Sequence, residues 1–259
     1  VIALFAAQLR ERRRAPLSWG LPLGLWSAFI VAIYPSIESA LAKVIRGYPQ
    51  ALKEAFSIGD LSTVEQYLHA EMLSLIVPLA VGYLALRSVS SALSGAAESG
   101  RLDILLSAPV ARRAVTWSAF LAAAVELAAV LALTLLITAL GSLLSGAHLS
   151  LGAAAAGFAN VWPLALLFAA LAIVATGFSL RTSVVTGSLA GVLVGMYVLD
   201  LAGRLDTRLD PIRYASVFRY YGNAIENGID PLSFFGVAAV AVALAAVGAL
   251  LFERRDLAT

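Results

Sequence analysis

Apolar residues gather into six long runs, and most of the charges lie between them. A helix needs about 20 apolar residues to cross a bilayer, and each run is long enough. The first extends roughly from Leu17 to Ile37, the second from Met72 to Ser91 and the third from Ala114 to Leu144. The fourth covers Ala153 to Phe178, the fifth Val184 to Ala202 and the sixth Leu232 to Phe252. The third is longer than a crossing requires. The pattern predicts an all-α membrane protein with six transmembrane helices and one transmembrane domain over 1–259. Around the spans lie an interfacial helix at 1–16, an outer loop at 38–71, a cytoplasmic loop at 92–113 and an outer loop at 203–231.

Composition agrees: 61% of residues are hydrophobic and 13% charged, with a mean hydropathy of +0.89. A soluble domain carries about a quarter charged residues. The first run follows RERRR, contains Pro22 and has no small-residue cleavage motif after it, so it reads as a retained span rather than a signal peptide.

Six crossings put both termini on one side. That side collects Arg10, Arg12, Arg13, Arg14, Arg87, Arg101, Arg112, Arg113, Arg181, Arg254 and Arg255. The other side holds Lys43, Arg46, Lys53, Arg204, Arg208, Arg213 and Arg219, together with most of the acids. Basic clusters close to span ends weigh most in setting orientation. The termini and the 92–113 loop are therefore expected in the cytoplasm, in a multi-pass protein of the plasma membrane.

Several chemistries lack their residues. There is no cysteine, hence no disulfide or thiolate site. Lys43 is followed by Val and Lys53 by Glu, so no phosphate-binding P-loop is present; if ATP is used, another polypeptide hydrolyses it. His69 and His148 are far apart and neither sits in a metal-binding frame, so no metal site is expected. The net charge of +2 does not suggest a nucleic-acid partner. No converging catalytic groups mark an intramembrane enzyme.

Four features carry a possible mechanism. In GAAESGRLDILLSAPVARR (95–113), Leu102, Leu105 and Leu106 share one helical face. Ser99 is placed to cap the start of that helix and Pro109 to end it. Such a ridge either offers a soluble partner a grip or rests on the lipid interface. Gly187, Gly191 and Gly195, preceded by Ser183, form a small-residue stripe, which serves either a subunit seam or packing within one bundle. Glu126 lies inside the third span. An acid there faces a cavity, a substrate or a structural partner. Pro78 and Pro163 are expected to kink the second and fourth spans. The arginines of VIALFAAQLRERRR would lie near anionic head groups. Around the last outer loop, Tyr214, Phe218, Tyr220 and Tyr221 suit the membrane–water interface.

The order of these features resembles the ABC-2 type permeases, the membrane subunits of one class of ABC exporters. The most specific resemblance is E-x-G-x-L-x-x-L-L-x-x-P-V-x-R, at Glu98, Gly100, Leu102, Leu105, Leu106, Pro109, Val110 and Arg112. LRERRRAPLSWGL resembles the family's connecting helix, IRYASVFRYY its segment before the last span, and FERRDL its C-terminal end. The family often has proline after serine before those aromatics; here Val217 stands there.

The resemblance implies a half-transporter that pairs with a second copy or paralogue and with two ATPase subunits. ATP and Mg would be bound by those partners, and the chain itself would carry no cofactor. It implies that Glu98, Arg101, Leu102, Leu105, Leu106, Pro109 and Arg112 couple the chain to an ATPase. Short re-entrant helices at 204–230 would cap the exit, and the glycine stripe would sit at the dimer seam. Mostly aliphatic spans fit membrane lipids and a small amphipathic or hydrophobic cargo. Two other readings are an ion- or proton-coupled secondary transporter, with Glu126 as its polar site, and a non-transporting assembly or sensor subunit.

Overall fold

The computed structural model of the chain describes residues 2–47, 63–102 and 111–254. Every regular element among them is helical. α1 (Ile2–Glu11) leads through a π-helical turn (Pro16–Gly20) into α2 (Leu21–Arg46). α3 (Val64–Leu68) and a second π-helical turn (His69–Leu73) precede α4 (Ile76–Glu98). Three long helices follow: α5 (Arg112–Ser145), α6 (Leu151–Phe178) and α7 (Thr182–Leu205). A 3-10 helix (Thr207–Ala215), α8 (Val217–Tyr221) and α9 (Ala224–Asn227) then lead to α10 (Pro231–Arg254).

Among the described residues six stretches are long and apolar enough to cross a membrane: 16–40, 64–98, 112–145, 151–178, 182–205 and 231–254. They match the six hydropathy runs within a few residues, except that the second runs from Val64 to Glu98 rather than from Met72 to Ser91. The reason is local. Val64, Leu68 and Met72 recur every fourth residue and are buried, so they continue one apolar face. The Thr63 hydroxyl accepts the amide of Gln66 at 3.3 Å and caps this early start. The 38–71 segment, read from the sequence as an outer loop with short helices at Leu52, Phe56 and at Leu61, Val64, Leu68, is helical at both ends. Its central apolar positions Leu52, Phe56 and Leu61 lie outside the described residues.

α6 is the axis of the bundle. It is apolar all round, the pattern of a helix enclosed by others. Of its most apolar stretch 67% is buried, against 22% in α7 and in α10. Phe158, Leu164 and Phe168 fill the space between α6 and its neighbours. α5, at 34 residues, is about 51 Å long and projects beyond what a crossing needs.

One close helix approach lies where the sequence did not point. α2 meets α5 through Gly24 and Gly141: a methyl group on Gly141 would stand 2.5 Å from Ala28 Cβ, and one on Gly24 would stand 2.8 Å from Ile137 Cβ. Small residues let backbones touch, which is how membrane helices associate without a hydrophobic driving force.

The two prolines expected to kink their spans are placed differently. Pro163 lies inside α6. Pro78 falls in the first turn of α4, where a missing N–H interrupts no helical hydrogen bond. Among the loop aromatics, Phe218 is 1% exposed and belongs to the core instead of the interface, whereas Tyr214 and Tyr220 are exposed. The turn at Val217 forms without proline. Ser216 accepts the amide of Phe218 at 3.2 Å and donates to the Met196 carbonyl at 2.6 Å.

Candidate functional site

The bundle has two polar ends. At the terminal end lie α1, the end of α4 and the starts of α5 and α7. α1 presents Leu4, Gln8 and Arg12 on one face, each four residues from the next. That face lies against α5. Gln8 Nε2 donates to Ser118 Oγ at 3.1 Å. Arg12 Nη1 meets Glu126 Oε2 at 3.3 Å, and Ser88 Oγ donates to the same oxygen at 2.8 Å. Arg12 Nη2 donates to the Ser88 carbonyl at 3.2 Å. Arg12 therefore turns inward, not toward head groups as the basic cluster implied, while Arg10, Arg13 and Arg14 stay exposed. Burial pulls the Arg12 guanidinium down from its ordinary value, and the charge and hydrogen bond of Glu126 oppose that shift.

Glu126 thus joins three helices. A carboxylate buried in a span needs a partner, and α1 supplies it.

The 98–112 segment is tied down at its visible ends. Glu98 Oε1 accepts the Thr182 amide at 3.1 Å, and Oε2 accepts the Thr182 hydroxyl at 2.6 Å. The carboxylate sits at the start of α7, where amides are unsatisfied and negative charge is favoured. Arg112 Nη1 donates to the Glu253 carbonyl at 3.5 Å. Arg101 Nη1 lies 3.9 Å from Glu11 Oε1, with both side chains exposed.

The Ser99 hydroxyl donates back to the Gly95 carbonyl at 2.8 Å and closes α4. It also receives Arg101 Nε at 3.1 Å. Most of the helix it is expected to cap lies outside the described residues. Leu102 is 2% exposed and packs into the core, so it seats the segment instead of facing a partner. Leu105, Leu106 and Pro109 lie outside the described residues.

The glycine stripe faces outward. A methyl group on Gly187, Gly191 or Gly195 would meet nothing within 4 Å. Packing within the chain, one of the two readings of this stripe, is not its use.

At the opposite end a network of five charges closes α7. Asp200, with its side chain 4% exposed, holds Arg204 Nη2 at 2.7 Å and Arg213 Nε at 2.9 Å. Asp210 Oδ1 takes Arg213 Nη1 at 2.9 Å and Arg219 Nη1 at 3.1 Å. Arg219 Cζ stands 3.9 Å over the Tyr214 ring. The hydrogen bond from Arg213, then that from Arg219, holds the Asp210 carboxyl below its ordinary value against desolvation. A lowered acid contributes stability above its unfolded pKa and loses it as pH falls through the folded value. Asp230 accepts the amides of Leu232 and Ser233 at 3.3 and 3.2 Å and caps α10, with Pro231 at its first position. Beside this network is an apolar cavity of about 560 Å³, lined by Leu167, Met196, Tyr214, Val217, Leu232 and Val237.

Asp200→Ala is expected to lower stability by about 2 kcal/mol, since it removes hydrogen bonds from two charged groups. Faster hydrogen exchange over 207–215 and a lower unfolding midpoint check it.

The sequence reading named Glu126, Glu98 and Arg112 but missed Arg12, Ser88, Thr182 and Asp200 as their partners or counterparts. One signal was present: the Leu4, Gln8, Arg12 spacing puts two polar residues on the face that an apolar residue buries.

Six helices of crossing length around a buried apolar axis define a multi-pass membrane protein. Over residues 3–253 the chain matches the family described as multidrug efflux system permease Rv1217c, C-terminal domain. The chain belongs to that family, a family of transport permeases. None of the curated proteins matches it.

Proposed function

We propose that the chain is the permease subunit of an ATP-driven exporter of the ABC-2 type. Two copies, or this chain and a paralogue, enclose the path; two separate ATPase subunits bind ATP and Mg and drive alternating access. The termini and the 98–112 segment face the cytoplasm, and the chain has no nucleotide site and catalyses no reaction itself. The cargo is a small hydrophobic or amphipathic compound, in keeping with a family of multidrug efflux permeases and with mostly aliphatic spans.

One observation carries the mechanism. The 98–112 segment is anchored at Glu98 to the start of α7 and at Arg112 to the end of α10. A push on its middle is delivered to two different spans, as a coupling element requires. α7 also carries the outward glycine stripe, so the helix that takes the push is the helix suited to meet the second permease. The engagement of Glu126 by Arg12 and Ser88 weighs against a proton-coupled carrier, since it uses the one acid that reading depends on.

Leu105→Asp tests the assignment. A charge in the ridge is expected to reduce ATPase association more than tenfold, with membrane insertion unchanged. Normal assembly and normal ATP hydrolysis by the variant complex would remove the coupling role.

A further inference from the structure

Arg87 carries a charge that the fold does not answer. It sits near the terminal-side end of the apolar run that closes at Ser91, about 16 Å along α4 from Glu98. Charged groups in crossing helices are costly and face a partner or a polar cavity. Arg87 is exposed and has no hydrogen bond or ion pair among the described residues.

What it does face is a cleft of about 460 Å³ between the end of α1, the Pro16–Gly20 turn and α4. The Arg12–Glu126 pair lines it, with these charges cancelling each other. Arg101 and Glu11 also line it, 3.9 Å apart and of opposite charge, and Arg101 Nε is further bonded to Ser99 Oγ at 3.1 Å. Arg87 therefore leaves the cleft with one net positive charge. Two further donors on its wall, the Trp19 indole N–H and the Ser91 hydroxyl, have no acceptor among the described residues. The cleft thus offers donors in excess of acceptors, and a guanidinium matches an oxyanion with two parallel hydrogen bonds.

The surroundings are apolar. Trp19 and Leu84 contribute ring and aliphatic surface to the wall. Leu17 and Leu21, on the same turn and the helix it starts, are 62% and 43% exposed. An aromatic ring with a free N–H suits the level where head groups meet acyl chains.

We propose that this cleft binds the anionic phosphate head of a membrane lipid, held by Arg87 and Arg101, with its acyl chains along Trp19 and the neighbouring leucines. The lipid would wedge the Pro16–Gly20 turn against α4, beside the salt bridge that holds α1. The inference rests on the six helices crossing a membrane and is independent of whether an ATPase drives the chain.

The test is native mass spectrometry of the full chain in detergent, with any subunits that accompany it. Equal amounts of phosphatidylglycerol and phosphatidylcholine are the probes. Wild type is expected to retain phosphatidylglycerol preferentially. Arg87→Gln is expected to lower that preference roughly tenfold, the size of one lost hydrogen bond to a charged group. Arg113→Gln, an exposed arginine at the same end and outside the cleft, is expected to leave it unchanged. Equal retention of the two lipids would overturn the proposal. So would an unchanged preference in Arg87→Gln, or an equal fall in Arg113→Gln, which would mark diffuse attraction. Displacement of the lipid by millimolar inorganic phosphate would overturn it as well, by showing a site for the free anion.

Discussion

Glu126→Ala is expected to release α1 from the bundle and to lower stability by about 3 kcal/mol, the range for removing one partner of a buried pair. Glu126 is 3% exposed, and its Oε2 gathers Arg12 from α1 and Ser88 from α4. Without it, Arg12 is left buried with only neutral acceptors: the Ser88 and Ala119 carbonyls and Gln8. A buried cation without its carboxylate is worse than no cation, so α1 swings out to hydrate it. Trypsin reports this directly: the side chains of Arg10, Arg13 and Arg14 are already exposed, and release frees the helical backbone around them and uncovers Arg12, so cleavage accelerates. The paired change Arg12→Met with Glu126→Leu should recover most of the loss, since exchanging both members for apolar groups is near neutral. Rapid cleavage of the single variant and slow cleavage of the double variant is the expected result. Equal protection of wild type and Glu126→Ala would mean the pair does not hold α1.

The second large effect is expected at Gly141. The first atom of any side chain there lies 2.5 Å from Ala28 Cβ and 2.9 Å from Ala28 Cα. These atoms belong to the α2 backbone or are fixed to it, so no rotamer change relieves the clash. Gly141→Leu must separate α2 from α5, and a loss of about 3 kcal/mol follows, at the upper end for overpacking. Gly191→Leu makes the contrast. Its site opens on empty space, so the isolated chain should change by no more than about 0.5 kcal/mol. Its effect should fall instead on pairing between permeases. Fluorescence-detected size exclusion with a thermal ramp separates the two: Gly141→Leu lowers the melting temperature, and Gly191→Leu shifts the elution volume. If Gly191→Leu instead melts early and elutes normally, the stripe packs inside the chain after all.

These glycines show how far the sequence could be read. Both sets carry the small-residue spacing of packed membrane helices, since Gly20 and Gly24 stand four apart just as Gly187 and Gly191 do. Spacing identifies a face where backbones can approach. It does not say whether the approaching backbone comes from the same chain. The six spans were legible because crossing length and hydropathy are properties of a contiguous stretch. The helical lead-in at 64–71 was legible from the helical spacing of Val64 and Leu68, but its continuity with the second span was hidden because Glu65, Gln66 and Glu71 dilute the apolar run. Glu126 was visible as an acid in an apolar span, but its partner lies 114 positions away, and no local pattern links the two. Asp200 escaped notice for the opposite reason. It stands near a span end, where an acid is unremarkable, and only the turn back through Arg213 makes it the anchor of a network. Glu98 was read as part of the coupling pattern, and its contact with Thr182 gives it a second, structural task.

The central claim is that this permease works with a separate ATPase. The most direct measurement is purification of the tagged chain from its native membranes in mild detergent, followed by mass spectrometry of what accompanies it. The account predicts a stoichiometric partner that carries a P-loop. A preparation holding this chain alone, before and after crosslinking in the membrane, would contradict it.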